Sequence, residues 1–325
     1  MRIAFVGHFE GRDDGWKPDE SRVAAALERA GATVERIEAP GGGVESRLLG
    51  SVQDWVLFSK IRNQDPTLVQ RLRDRQPGAR FAQIVFDLMD FKDRVVRGVP
   101  WIRQTRLSWW IPVAREMDVV FLREKDHLER YGHLGVKGYY LDQACDTDES
   151  PASEFPPSMS CDVAFFGTHF PDRARMMKRL GHGRTVRIYA DRPRSWWLRG
   201  WRAERAAYGT RLAQAVIGAK IVYGESARSD IHGYWSDRVY RVLGHRGFFL
   251  TRYIPGLEEI FTNHEHLVWG RNDDELADLA TRYLNDEPAR RRIAQAGFAH
   301  VRAHHSYDHR ARDLLAVLER TRGKS

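Results

Sequence analysis

Short apolar runs alternate with amphipathic stretches along the first half of the chain. The amphipathic stretch at residues 20–30 places Val23, Ala26 and Leu27 on one face, which predicts a helix that ends at Gly31. A second helix is predicted near residues 66–75. The apolar runs are short and bounded by polar or glycine-containing segments, so they predict buried strands. The predicted strands are residues 2–6, 33–37, 55–58, 81–86, 118–122 and 138–141.

The same alternation starts again after residues 149–160, a segment rich in proline and serine that predicts an interdomain linker. Helices are predicted at residues 173–180 and 274–284, and another begins at Pro288. The predicted strands of this half are residues 162–166, 185–189, 219–223 and 247–250. Alternating strands and helices favour an α/β class with a parallel, doubly wound sheet in each half. We expect two Rossmann-like domains that face each other across a cleft.

Length and composition narrow the class of protein. The chain has 325 residues, which exceeds the size at which a single core stops growing and favours two domains. No apolar run is long enough to span a bilayer, and the first residues predict a strand rather than a signal peptide. Cys145 and Cys161 alone form neither a disulfide scaffold nor a cysteine-based zinc site. These features predict a cytoplasmic protein.

The net charge of +8 is concentrated in two segments. Residues 172–211 contain twelve basic and three acidic side chains, and residues 92–115 contain six and one. The two segments also hold six of the ten tryptophans. Interleaved arginine and tryptophan suit nucleic acid or an anionic membrane surface, and a solvated basic helix face with tryptophan in the core is the alternative. Both segments follow predicted strands, where open parallel sheets bind their ligands.

The most informative motifs lie in the second half. An apolar strand runs into Gly167 with a predicted helix beyond it, an arrangement that offers free N–H groups to a phosphate. The chain lacks the G-x-G-x-x-G pattern of dinucleotide-binding dehydrogenases and the G-x-S-x-G pattern of hydrolases. Instead it carries S-x-R-x-Y at residues 236–240, I-P-G-L-E-E-I-F at 254–261, I-A-x-x-G at 293–297 and H-S-Y-x-x-R at 305–310.

In these motifs the chain resembles the spore-maturation (CgeB-like) branch of GT-B glycosyltransferases, of the group 1 type, over about residues 161–318. The resemblance implies an acceptor-binding domain at residues 1–152 and a donor-binding domain at 153–305. It also implies a helix at 306–325 that crosses back to the first domain. The implied reaction moves a sugar from a nucleotide-diphosphate sugar, a UDP-sugar above all, to an acceptor hydroxyl without a metal or other cofactor.

The resemblance implies a set of donor-binding residues. Arg173 and Arg238 would neutralise the diphosphate, because a guanidinium pairs well with phosphate oxygens. Tyr189 and Tyr223, at predicted strand ends, would line the base pocket. The full predicted donor set is Gly167, Thr168, Arg173, Tyr189, Tyr223, Arg238, Tyr240, Ile254, Pro255, Gly256, Leu257 and Glu258.

One position departs from the family pattern. Arg241 stands where the family has the glutamate that holds the ribose hydroxyls, and a cation cannot accept those hydrogen bonds. Asp237 or Glu258 takes over, the nucleotide is held differently, or activity is impaired. A related retaining group has a second glutamate where this chain has Gly233, so retention or inversion stays open.

Candidate catalytic and acceptor-binding residues are chosen because they follow predicted strands. His8 and Asp87 follow predicted strands of the first domain and are candidates for the general base, with a loop histidine and a capping or turn residue as the alternatives. The predicted acceptor-binding residues are Arg97, Arg103, Trp109, Trp110, Arg194, Trp196, Trp197 and Arg199. Such side chains favour a polyanionic acceptor: a hydroxymethylated DNA base first, then an anionic lipid or a cell-wall or polysaccharide intermediate.

Two other classes of function remain open. A non-catalytic nucleic-acid-binding protein on a degenerate GT-B scaffold would account for Arg241, and a nucleotide-sugar epimerase shares the two-domain fold. The Asp146-Thr147-Asp148 triplet lies near the linker and has too few oxygen ligands for a hard cation. His300 and His304 have helical spacing but lack a third zinc ligand, so they predict a polar helix face.

Overall fold

The computed structural model describes residues 1–39, 43–59, 66–87 and 105–323, except for the side chains of residues 66 and 105–109. The chain divides into two compact units. The first comprises Met1–Gly11, Lys17–Asp142 and Asp308–Ser325, and the second comprises Arg12–Trp16 and Gln143–Tyr307. The division lies before the proline- and serine-rich segment at residues 149–160, in which Pro157–Met159 forms a 3₁₀ turn.

The first unit is a six-stranded parallel sheet with helices between its strands. The strands are β1 (Arg2–Gly7), β2 (Thr33–Glu38), β3 (Trp55–Ser59), β4 (Arg80–Ile84), β5 (Val119–Leu122) and β6 (Gly138–Tyr140). The helices are α1 (Asp19–Arg29), α2 (Val44–Leu49), α3 (Pro66–Arg75), α4 (Thr105–Arg115) and α5 (Leu128–His133). The strand order is β2-β1-β3-β4-β5-β6. The order reverses between β1 and β3.

The second unit repeats this architecture. Its strands are β7 (Cys161–Phe166), β8 (Val186–Ala190), β9 (Glu204–Arg205), β10 (Ala219–Gly224), β11 (Phe249–Arg252) and β12 (Val268–Gly270). Its helices are α6 (Pro171–Leu180), α7 (Arg194–Trp197), α8 (Gly209–Ile217), α9 (Arg238–Gly244), α10 (Asp273–Asn285) and α11 (Glu287–His304). The strand order is β12-β11-β10-β7-β8-β9, and all pairs are parallel. A last helix, α12 (Tyr307–Arg322), follows.

Burial explains why the strands could be predicted. Ile3, Val163 and Ile221, in β1, β7 and β10, are buried because helices cover both faces of a parallel sheet, so such strands are apolar along their whole length. The prediction of two parallel, doubly wound α/β sheets is confirmed. The predicted strand at residues 247–250 is shifted, because β11 begins only at Phe249. Gly247 instead lies in a turn where a Cβ would come within 2.6 Å of Val216 and Val242.

Side-chain caps fix the helices near the end of the second unit. The Asn272 side chain accepts a hydrogen bond from the N–H of Glu275 at 2.9 Å, and Asp286 does the same for Ala289 at the start of α11. Each cap satisfies a donor that the first helical turn leaves without a partner. Pro288 lies in the first turn of α11, where a missing N–H costs nothing.

Several elements were not predicted because they are short or lack a clear period. They are α2, α4, α5, α7, α8, α9, β9 and β12. The strand β9 has two residues, and α9 has seven, of which five are buried, so no polar face marks it as a helix. No helix in the described ranges is long and apolar enough to cross a membrane. Within those same ranges no group of three or more His, Cys, Asp or Glu side chains could hold a metal ion.

Three histidines of the second unit, His169, His264 and His300, have lowered pKa values, which predicts that its stability depends on pH. Burial, reinforced by the neighbouring His266, lowers the pKa of His300, whose Nε2 donates to the carbonyl of Ile260 at 2.8 Å. Burial, together with Arg282, also lowers the pKa of His264. The folded protein therefore binds these protons more weakly than the unfolded chain does.

We expect these histidines to leave the free energy of unfolding at its highest value above a pH of about 6.5. Below that pH the free energy of unfolding should fall, because the same histidines become protonated in the unfolded chain before they do in the folded protein. Urea denaturation between neutral and mildly acidic pH measures this loss. The His300→Gln variant keeps an N–H donor but cannot titrate, so it should lose less stability on acidification than the wild type. The exposed His133→Gln serves as the control, and an equal loss in all three proteins would refute the assignment.

Candidate functional site

A cavity of about 220 Å³ opens at the carboxyl edge of the second sheet. Loops after β7, β8 and β9 and the start of α9 form its walls. The lining residues are Phe166, Gly167, Thr168, Arg173, Tyr189, Asp191, Ala206, Ala207, Tyr208, Leu212, Asp237, Arg238, Arg241 and Val242. The strand order reverses between β7 and β10, and ligands of doubly wound sheets bind beside such a reversal.

Arg173 is a buried guanidinium at this edge. It lies in the first turns of α6, and its Nε donates to the carbonyl of Glu225 at 3.0 Å. A second nitrogen donates to the carbonyl of Thr168, also at 3.0 Å. Burial, together with the charge of Arg238, lowers the pKa of Arg173 to about 9. These bonds hold the cation in place although its surroundings penalise the charge.

Arg238 lies beside it at the first position of α9. Its guanidinium donates to the same Glu225 carbonyl at 3.4 Å and lies over the ring of Phe165, 5.3 Å from the centroid. Burial, which outweighs the charge of Asp237, lowers the pKa of Arg238. Two like charges thus share one carbonyl acceptor, and an anion bound beside them would relieve the electrostatic cost.

Gly167 makes room for the guanidinium of Arg238. It has φ of +147°, and a Cβ at this position would lie 2.6 Å from a terminal nitrogen of Arg238. The N–H of Gly167 donates to the carbonyl of Tyr189 at 2.8 Å, and its carbonyl accepts from Nε1 of Trp196 at 3.1 Å. The loop after β7 is therefore fixed on both sides.

A polar wall closes the other side of the cavity. Asp191 follows β8 directly and accepts a hydrogen bond from the hydroxyl of Tyr208 at 2.5 Å. Burial and this carboxylate raise the pKa of Tyr208 well above its usual range. Arg241 pairs with Asp237 at 3.0 Å, one turn earlier in α9. The cavity thus contains three guanidiniums and two carboxylates.

Tyr189 and Phe166 stack beside this wall, with ring centroids 5.0 Å apart and an interplanar angle of 11°. The Tyr189 hydroxyl is buried without a hydrogen-bond partner among the described residues. Burial, with the nearby Glu204, raises the pKa of Tyr189 to about 12, so the phenol stays neutral at physiological pH. The pair forms an aromatic surface at the base of the cavity.

Five of the predicted donor-binding residues line the cavity: Gly167, Thr168, Arg173, Tyr189 and Arg238. The other seven do not. Tyr240, Ile254 and Leu257 are buried in the apolar core. The hydroxyl of Tyr223, predicted to line a base pocket, is buried and donates to Glu225 at 3.0 Å, so the structure does not place it there.

The remaining three predicted donor residues belong to a separate loop after β11. Gly256 has φ of +93°, and a Cβ there would lie 2.4 Å from the His232 ring, so this glycine serves a close approach to that side chain. The carbonyl of Pro255 accepts from the N–H of Gly233 at 3.0 Å. Glu258 is exposed and accepts from the hydroxyl of Tyr253 at 2.7 Å. Of the two carboxylates predicted to replace the family glutamate, Asp237 alone lines the cavity.

The candidate bases lie at the carboxyl edge of the first sheet. His8 follows β1, and its Nδ1 lies 2.6 Å from Oε1 of Glu38, at the end of β2. The N–H of Phe9 donates to the other oxygen of Glu38 at 2.9 Å, which fixes this carboxylate. Asp87 is half-buried and lies three residues after the end of β4.

The predicted acceptor-binding residues divide into three groups. Trp110 and Trp196 are buried, so the prediction that they contact an acceptor is wrong: Trp110 donates to Gln83 at 2.9 Å, and Trp196 to Gly167. Arg194, Trp197 and Arg199 are exposed. Arg97, Arg103 and the side chain of Trp109 lie outside the described residues.

Sequence reasoning missed Asp191 and Tyr208 and did not assign Arg241 to the cavity. The signal for Asp191 was its position after an apolar strand, about twenty residues beyond the glycine loop, where Rossmann folds place the acid that binds ribose. Tyr208 comes from the segment between β9 and α8, and neither element was predicted.

Comparisons with known proteins agree with this architecture. Residues 173–316 match the profile of a family described as glycosyl transferase-like, which includes Arg173, Arg238 and Arg241. Curated protein sequences give no match.

Solved structures match over the whole chain. The sucrose-phosphate synthase of Thermosynechococcus elongatus has a TM-score of 0.69 and 11% identity, and covers 100% of both chains. HepE of Anabaena in complex with UDP-glucose has a TM-score of 0.67 and 10% identity, and covers 98% of this chain and 100% of its own. A glycosyltransferase of Rickettsia africae has a TM-score of 0.66 and 13% identity, and the match covers 100% of this chain and 99% of that structure's chain.

The fold is therefore GT-B, with a six-stranded parallel sheet in each unit. The matched profile is of the general glycosyl transferase type, and the spore-maturation branch stays a prediction.

We expect Gly167→Ala to lower the free energy of unfolding by about 1–3 kcal/mol, because the added methyl group meets Arg238 and the backbone angle is unfavourable for alanine. Chemical denaturation measures the change. Gly183→Ala is the matched control: this glycine has φ of +69°, but no atom lies within 4 Å of the added Cβ. An equal loss in both variants would show that backbone strain alone is responsible and that the contact with Arg238 costs nothing.

Proposed function

We propose that the protein is a glycosyltransferase that binds a nucleotide-diphosphate sugar in the cavity of the second unit and transfers the sugar to an acceptor hydroxyl. The observation that carries the proposal is the convergence of Arg173, Arg238 and Arg241 on one cavity at the carboxyl edge of the sheet. A diphosphate is the anionic group that such a set of guanidiniums fits, because each can pair with phosphate oxygens.

The diphosphate would lie against Arg173 and Arg238. Both already donate to the Glu225 carbonyl, so they are held in place before the ligand arrives. Their lowered pKa values reflect the cost of charge in this site, and a bound anion offsets that cost. During transfer the bond between the sugar and the diphosphate breaks, and the same guanidiniums would stabilise the negative charge that develops on the leaving group.

The ribose would be held by Asp191. Arg241 cannot accept hydrogen bonds from ribose hydroxyls. Asp237 and Asp191 both line the cavity, but Asp237 forms an ion pair with Arg241, whereas Asp191 accepts a hydrogen bond from the uncharged hydroxyl of Tyr208. Asp191 also follows the second strand of the unit, where Rossmann folds bind ribose through an acidic side chain. The stacked rings of Phe166 and Tyr189 lie next to it.

A uridine nucleotide is the donor that we test first, because the structure of HepE contains UDP-glucose. For the acceptor hydroxyl, His8 and Asp87 are the proposed general bases. Glu38, which lies against Nδ1 of His8, would orient the imidazole so that the other nitrogen takes the proton.

The nature of the acceptor stays a prediction. A hydroxymethylated DNA base was favoured because tryptophans could stack on bases, but Trp110 and Trp196 are buried and cannot do so. The exposed Arg194, Trp197 and Arg199 still favour an acceptor with negative charge. An anionic lipid, or a cell-wall or polysaccharide intermediate, fits these three residues as well as DNA does.

Binding of UDP and UDP-glucose should raise the melting temperature, because a ligand that binds only the folded state stabilises it. We expect Arg238→Ala to weaken UDP binding by about 10- to 100-fold, since a charged hydrogen-bond partner of the phosphate is lost. Isothermal titration measures the affinity.

Arg291→Ala, which removes an exposed arginine from α11, is the control and should bind UDP like the wild type. If no member of a panel of nucleotide sugars binds, the cavity is not a donor site and the proposal fails. Isomerisation of the donor without any acceptor would instead identify an epimerase.

We expect Asp191→Ala to weaken UDP binding by about tenfold and to leave pyrophosphate binding unchanged, because the carboxylate would contact ribose only. Tyr208→Phe removes the hydrogen-bond partner of Asp191 but keeps the carboxylate, so UDP should still bind. Competition titrations with UDP and pyrophosphate measure both affinities. An equal loss for the two ligands would place Asp191 at the phosphates or show a general structural role.

A further inference from the structure

Two neighbouring apolar side chains project from the surface just after α7. Trp197 is 54% exposed and Leu198 is 73% exposed. Among the described residues the other exposed large apolar side chains are Val52, Tyr139 and Phe155, and none of these has another for a neighbour in the sequence. Trp197 and Leu198 therefore form a concentrated apolar feature on the surface of the second unit.

This exposure is built into the fold. Nε1 of Trp197 donates to the carbonyl of Ala203 at 2.7 Å, which holds the ring against its own loop. The preceding Trp196 is buried, and its ring meets that of Trp201 edge to face at 5.9 Å. The buried tryptophan anchors the segment, so the next two side chains point outward by the geometry of the helical turn.

Five exposed arginines lie within eight residues of the pair along the chain: Arg192, Arg194, Arg199, Arg202 and Arg205. Within the described part of the chain, none of them forms an ion pair with a carboxylate. The nearby Glu204 is engaged by Arg187 and Arg211 instead. We call Trp197, Leu198 and these five arginines the Trp197 patch.

We propose that the Trp197 patch binds the surface of an anionic lipid membrane. Arginines around an exposed tryptophan and leucine match the two layers of such a surface: the charged headgroups and the first methylenes of the acyl chains. Tryptophan is enriched at headgroup level because its ring is apolar and its N–H is polar. In Trp197 this N–H is already paired with the carbonyl of Ala203, so the ring supplies the apolar contact. Leu198 would enter the acyl boundary.

The apolar component distinguishes a membrane from nucleic acid. A single-stranded nucleic acid would use several exposed aromatic rings, but in this segment Trp197 alone is exposed, since Trp196 is buried and Trp201 is half-buried. Leucine gains little from a phosphate backbone, whereas burial in lipid removes its apolar area from water. The most exposed side chain of the patch is therefore the one that membrane binding explains and nucleic acid does not.

The patch shares Arg194, Trp197 and Arg199 with the proposed acceptor site, but its test does not depend on glycosyl transfer, because it uses the free protein without any donor. Co-sedimentation with vesicles of phosphatidylcholine, and with vesicles of equal parts phosphatidylcholine and phosphatidylglycerol, measures the binding. We expect binding to the anionic vesicles only, with a strong decrease at high salt.

Leu198→Asp should lower the partition coefficient at least about tenfold, since it replaces the inserted apolar group by a charge that the surface repels. Val52→Asp is the matched control, because Val52 is 72% exposed but lies in the first unit, and it should bind like the wild type. Arg192→Gln combined with Arg202→Gln should weaken binding about 20-fold. The control replaces two exposed arginines of the first unit, Arg75 in α3 and Arg320 in α12, by glutamine and should leave binding unchanged.

All variants should keep the wild-type melting temperature, which shows that they fold. The proposal fails if anionic vesicles do not bind, or if Leu198→Asp and Val52→Asp behave alike. A mobility-shift assay with single- and double-stranded DNA tests the alternative, that the patch binds nucleic acid. If the protein bound DNA but not vesicles, and Trp197→Ala abolished the DNA binding, the patch would be assigned to nucleic acid. Failure of these assays would leave UDP binding to the cavity unaffected.

Discussion

The organisation of the second unit depends on Glu225, the residue that follows β10. Its carbonyl accepts hydrogen bonds from Arg173 and Arg238, while its carboxylate accepts from Arg252 and from the Tyr223 hydroxyl. One nearly buried residue thus connects the starts of α6 and α9 with the ends of β10 and β11. A negative side chain at this point offsets part of the positive charge that the site collects, so a cationic cavity can exist in a folded protein.

The cationic surface of the cavity is consequently formed by contacts within the protein itself. Gly167 leaves the space that Arg238 occupies, and Trp196 holds the carbonyl of that glycine from behind. Since the guanidiniums are already oriented, little conformational entropy is lost on binding, and pre-organisation of this kind favours both affinity and stabilisation of a leaving group. Trp196 therefore supports the wall of this cavity, whereas the sequence suggested that it contacts an acceptor.

The sequence was informative wherever local pattern decides the structure. Strands such as β1 and β7 are apolar along their length, and Arg173 and Arg238 follow a strand end or a motif, so they could be predicted. Trp196 and Trp197 could not be told apart, because only the packing of the folded unit determines which ring is buried. Asp191 had a usable signal, its position directly after β8, whereas Tyr208 had none, because the segment between β9 and α8 has no clear hydrophobic period.

The last helix returns to the unit with which the chain begins. Ala311, Leu314 and Leu318 of α12 are buried, and Arg310 and Arg29 form ion pairs with Asp142 and Asp308 inside that unit. During synthesis the first unit therefore stays without its last helix until more than 160 residues of the second unit have been made. The second unit, whose main segment is continuous, can fold in the meantime, so the half that is translated first is the half that is completed last.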